Sequence, residues 1–218
     1  MHRHFDQELG TLRENLLTMG ALVESMITQA ARLLDQYDTD AASQIEARER
    51  EVNTLHSSID DVCVRLLVLR QPAAADMRLI TAALKINGEL ERIGDQAINI
   101  LQRAQQLDKP GEWPRIDLGS LIHTASGMVM AALDAFVKKD VPLARSVLED
   151  EKAADSLRDH AVDVLLAKAE ERTFSFAHIM QLILVTHHLE RVADHATNIA
   201  EDVIYFVQGL DIRHHRME

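Results

Sequence analysis

Phe5, Leu9, Leu12, Leu16, Met19, Val23, Met26, Ala30, Leu33 and Tyr37 follow one another at alternating intervals of four and three residues. On a helix of about 3.6 residues per turn, that spacing draws one continuous apolar stripe. A strand would need alternation by two, so the pattern predicts a long helix that buries one face against near-parallel neighbours. The same rhythm returns through Val52, Leu55, Ile59, Val62, Leu66 and Leu69, and again through Leu79, Ala83, Ile86, Leu90, Ile93, Ala97, Ile100, Ala104 and Leu107. Asp38-Thr39-Asp40 separates the first two stretches with turn and capping chemistry, and Pro72 ends the second.

The second part of the chain repeats the plan. Leu118, Leu121, Ala125, Met128, Ala132 and Ala135 mark a fourth helix, and Asp140 caps a fifth with Pro142 tolerated in its first turn. A sixth follows Thr173-Phe174-Ser175 and runs through Leu182, Val185, Leu189, Val192, Ala196, Ile199, Val203 and Phe206. Helices of about thirty residues reach about 45 Å. Between the third and fourth lies Asp108-Lys109-Pro110-Gly111-Glu112-Trp113-Pro114, which holds two of the four prolines and reads as the linker between halves.

Scarce glycine (8) and proline (4), only 4% aromatics and 47% hydrophobic residues suit helices around an ample core. The one cysteine, Cys63, cannot form an internal disulfide, and the N-terminus has no signal-peptide core, so a cytoplasmic location is expected. No run approaches 18 uncharged apolar residues, which predicts no membrane span. A formal charge of −12 would repel phosphate backbones, and nucleic-acid binding is not expected. The basic cluster Arg213-His214-His215-Arg216 reads as a frayed terminus.

Laid over one another, helices three and six reveal an internal duplication. Leu90-Glu91-Arg92-Ile93-Gly94-Asp95-Gln96-Ala97-Ile98-Asn99-Ile100 matches Leu189-Glu190-Arg191-Val192-Ala193-Asp194-His195-Ala196-Thr197-Asn198-Ile199 at seven of eleven positions. Glu49 to Leu55 aligns more weakly with Glu151 to Leu157. The expected fold is all-α, two tandem three-helix bundles related by duplication: residues 1–108, a linker at 109–116, and residues 117–218.

With Leu90 and Ile93 in the core, Glu91 and Asp95 fall on the outward face, as do Glu190 and Asp194. Two carboxylates four residues apart repel, costing the helix about 0.2–0.5 kcal/mol, and a bound cation would reverse that sign. Asn99 extends the stripe in the first half, and His187, Asn198 and Glu201 extend it in the second. Asp155 and Asp159 form another such pair on helix five, where the first half has Asn53 and Ser57. Carboxylate-rich sets of this kind suit Mg²⁺ or Mn²⁺, with iron or zinc where histidine joins, and the second half should be the stronger site. The competing reading is surface salt bridges, Arg92 with Asp95 and Arg191 with Asp194, of little energy. The methionines, Met77 among them, read mostly as core filler, Cys63 as an inert buried thiol, and His123 and His178 as isolated histidines. No nucleophile elbow, phosphate-cradling glycine loop or Glu-x-x-His motif is present.

Glu91 to Ile100 and Glu190 to Tyr205 resemble the two signature helices of the PhoU family of phosphate-transport regulators, and the opening Phe5-Asp6-Gln7-Glu8-Leu9 resembles the family's start. The similarity covers nearly the whole chain. It implies a dimeric cytoplasmic regulator, peripheral to the inner membrane through its partners, that restrains phosphate uptake and represses the phosphate-starvation response. Its implied partners are the ATPase subunit of the phosphate ABC transporter and a phosphate-sensing histidine kinase. It also implies that Glu91, Asp95, Glu190 and Asp194 bind clusters of metal ions, with Gln102 standing where the second half has Glu201. The expected role is not catalytic; the alternative is a metal-dependent carboxylate-bundle enzyme, either a hydrolase or a di-metal oxidase.

Overall fold

A computed structural model describes residues 2–70, 72–107, 111–112, 114, 116–172 and 174–212, with side chains from residue 5 onward. The described residues form six helices and no strand: α1 His2–Arg32, α2 Thr39–Arg70, α3 Ala74–Gln105, α4 Leu118–Lys138, α5 Val141–Glu170 and α6 Phe176–Gln208. The tail at 213–216 and the linker residues 108–110 and 113 lie outside the described residues.

Helix ends fall where local chemistry places them. Asp38 Oδ1 accepts from the Ala41 amide at 2.8 Å and opens α2, while Asp140 Oδ1 accepts from the Leu143 amide at 3.0 Å and opens α5. Asp117 and Ser175 cap α4 and α6 in the same manner. Gly209, at φ +71, closes α6 with its amide bonded to the Tyr205 carbonyl.

The apolar stripes meet as their spacing demands. Leu12, Leu16, Met19, Leu90, Ile93, Leu189 and Val192 are all fully buried, each stabilising the fold by about 1.5–3 kcal/mol relative to exposure. Within each half the three helices pack on one another, and the halves join through α3 against α6 and α1 against α4. One core therefore runs through both. At the α1–α4 contact Gly20 lies so close to Leu133 that a Cβ there would run into the leucine Cδ1. Gly111 is tied back to the turn after α1, because its amide donates to the Leu34 carbonyl at 3.0 Å and its φ of +80 suits glycine.

One expectation is narrowed and one is corrected. α4, carrying only Asp134 and Lys138 as charges, is long and apolar enough by length and composition to cross a membrane. Half of that window is buried inside the bundle, where α4 packs on α1, α5 and α6, so its apolarity is that of a core helix. Met77 is also not core filler: it is 48% exposed at the start of α3, near the end of the α2–α3 hairpin.

Candidate functional site: the paired signature helices

The two matched segments lie side by side. Polar bonds across the α3–α6 contact pair Lys85 with Asp202, Glu89 with His195 and Asn198, Gln96 with His188, and Arg103 with Gln181. Numbers rise along α3 as they fall along α6, so the helices run antiparallel. The alignment that sets Leu90 on Leu189 also sets Glu89 on His188 and Gln96 on His195. The Glu89–His195 and Gln96–His188 bonds are thus one ancestral contact seen twice. The local twofold axis passes between them, at the level of Arg92-Ile93 and Arg191-Val192.

Duplication has left the two copies chemically different. Glu89 accepts from His195 Nδ1 at 2.7 Å and from the Asn198 amide at 3.1 Å. Burial pushes the Glu89 carboxyl upward, but those two bonds, with His195 and Arg92 nearby, outweigh it and hold the group below the usual carboxylate range. In the other copy His188 Nδ1 lies 3.0 Å from Gln96 Oε1, an acceptor, so Nδ1 carries the proton. Burial, then Arg103, Arg191 and His187, push His188 down to about 4. One side of the seam is ionic and the other neutral. Beside the ionic copy a cleft of about 390 Å³ opens between the helices, lined by Lys85, Gly88, Glu89, Arg92, Asn198 and Asp202.

The acidic pairs sit around the bundle from this seam. In the second half Glu190 faces α5, where Arg158 Nη1 reaches it at 2.5 Å while Arg158 Nε meets Asp159 at 2.8 Å and Nη2 meets Asp155 at 3.5 Å. Asp194 is half-buried beside them. Burial first, then the Glu190 and Asp155 charges, raise its carboxyl above the usual range against the pull of His195 and Arg158. In the first half Glu91 is partly buried and Asp95 exposed. The position matching Arg158 is His56, whose Nε2 lies 3.9 Å from Asp60, and Asn53 donates to Glu49 at 2.5 Å.

The sequence stripe does not stay together. Asn198 turns from Glu190 and Asp194 to α3, His187 is exposed, and Asn99 and Glu201 are partly buried. The expected salt bridges are also redirected: Arg92 approaches Glu89 at 3.7 Å, and among the described residues neither Arg92–Asp95 nor Arg191–Asp194 forms an ion pair. Among the described residues no three His, Cys, Asp or Glu side chains gather closely enough to hold a metal ion as they stand. Yet Asp155, Asp159 and Glu190 already surround one cation, the Arg158 guanidinium, so the donor chemistry fits a positive ligand. Glu89, His195, His188 and Arg158 were missed by sequence reasoning. The one available signal was Glu89 and His188 falling at matched positions immediately before the signature.

The PhoU domain model matches residues 16–104 and 118–203, one copy in each half. The chain is 40% identical over 214 residues to the phosphate-specific transport system accessory protein PhoU homolog of Pseudomonas putida, spanning 97% of this chain and 84% of that one. The phosphate-specific transport system accessory protein PhoU of Escherichia coli is 31% identical over 211 residues, spanning 96% and 88%. The crystal structure of PhoU from Pseudomonas aeruginosa superposes with a TM-score of 0.88 at 39% identity, covering 94% of this chain and 100% of that one. The phosphate transport system regulatory protein PhoU from Streptococcus pneumoniae gives 0.87 at 26% identity, covering 95% and 98%. With a full-length match, a domain copy in each half and the signature helices paired about one axis, the chain belongs to the PhoU family.

Proposed function

We propose that this chain is a negative regulator of phosphate uptake and of the phosphate-starvation response. It acts as a cytoplasmic adaptor between the ATPase subunit of the phosphate ABC transporter and a phosphate-sensing histidine kinase, and works as a homodimer. The observation that carries this reading is the near-complete overlap with accessory proteins of phosphate-specific transport systems. A bundle whose halves share one core suits an adaptor, which must present two surfaces at fixed separation. A tagged copy drawn from cells grown with plentiful phosphate should bring down the transporter ATPase and the kinase. Recovery of neither would refute the adaptor role.

The role is binding and not catalysis, and metal serves structure or bridging. Glu91 and Asp95 in the first half, and Glu190, Asp194, Asp155 and Asp159 in the second, are the residues that would hold a divalent ion such as Mg²⁺ or Mn²⁺. Replacing Glu91, Asp95, Glu190 and Asp194 together by Ala should remove the Mn²⁺ retained by the full chain after gel filtration. Phosphate release and oxidase turnover by Mn²⁺-loaded protein should be no faster than by the quadruple variant.

A further inference from the structure

We propose that Arg158 is the built-in cation of the second acidic face, and that a divalent ion binds there only by displacing its guanidinium. This rests on the metal reading above and concerns what controls that site. The three guanidinium nitrogens take three different carboxylates: Nη1 on Glu190, Nε on Asp159 and Nη2 on Asp155. A planar fork of this kind holds acids around its rim. A Mg²⁺ or Mn²⁺ ion instead needs oxygens converging at about 2.0–2.2 Å from one point. The same residues therefore cannot serve both cations at once, in keeping with the absence of a three-residue metal cluster among the described residues.

Arg158 is also well held. Its side chain is 20% exposed and that of Glu190 16%, so this contact is shielded from the screening that weakens open surface pairs. Asp155 and Asp159 stand at 48% and 68%, leaving the outer edge of the site open to an incoming ion. The first half lacks such a lock. His56 replaces the arginine, Arg92 is drawn to Glu89, and among the described residues Glu91 and Asp95 form no ion pair. Carboxylate count alone ranks the second half as the stronger metal site, whereas the guanidinium makes it the closed one.

The test titrates Mn²⁺ into full-length, chelator-stripped protein and follows free Mn²⁺ by its paramagnetic resonance signal, with a thermal melt alongside. Arg158→Gln should tighten Mn²⁺ binding by about tenfold or more, because the ion no longer has to displace a cation from Glu190, Asp159 and Asp155. Arg158→Lys keeps a cation and should stay near wild type. Without metal, Arg158→Gln should melt lower than wild type, and Mn²⁺ should raise its melting temperature by more than it raises that of wild type. Adding Glu190→Ala and Asp194→Ala to Arg158→Gln should abolish the gain. An affinity in Arg158→Gln no tighter than wild type, or a gain that survives the Glu190 and Asp194 changes, would overturn the proposal while leaving the metal reading standing. Should neither wild type nor Arg158→Gln bind Mn²⁺, the metal reading itself fails and the proposal falls with it.

Discussion

His188 and Glu89 occupy one position of the repeat, yet acid acts on them in different settings. His188 is pushed down to about 4, so it stays neutral in the folded chain at pH values where the unfolded chain, near 6.5, takes a proton. The unfolded state then binds more protons. Stability from His188 is full above about 6.5 and is lost as pH falls toward about 4. His188→Gln, which keeps a polar partner for Gln96, should flatten the fall in melting temperature between pH 7 and 4.5; parallel melting curves for variant and wild type would contradict this. Neither histidine of the seam was singled out from the sequence, which pointed to His187 instead. The helix pattern of α6 tells which residues turn from its own bundle, but only the packing of α3 against α6 decides that His188 and His195 are covered while His187 is exposed.

Helix positions and caps were legible because each depends on a few neighbouring residues. Asp140 capping α5, with Pro142 in the first turn, is the plainest case, and Asp140→Ala should lower unfolding stability by about 1 kcal/mol in a denaturant titration. How the helices meet was not legible. A mid-helix glycine such as Gly20 costs about 1 kcal/mol of helix propensity relative to alanine, but the approach of α4 leaves no room for a methyl group without moving Leu133. Gly20→Ala should therefore destabilise, by about 1–3 kcal/mol, despite its better helix propensity. Combined with Leu133→Ala it should cost less than the two changes added, since the methyl enters the space vacated. Strict additivity in the double variant would mean that the two helices do not touch there. α4 itself was read as a bundle helix but not as the most apolar one, because Asp134 and Lys138 stand near one end and leave the rest nearly uncharged.

At the scale of the whole molecule, the duplication seen in eleven aligned positions, seven of them identical, became two three-helix halves about a shared core, and the family followed from the same residues. The sequence placed the acidic pairs on α3 and α6, where they lie, while their surroundings were not legible. Arg158 lies on a different helix, and no spacing rule connects it to Glu190. The regulatory account is tested most directly in cells. In a strain deleted for this protein and grown with plentiful phosphate, a reporter for a phosphate-starvation promoter should be strongly expressed, and a plasmid copy of the chain should silence it. A reporter that stays repressed in the deletion strain would contradict the account.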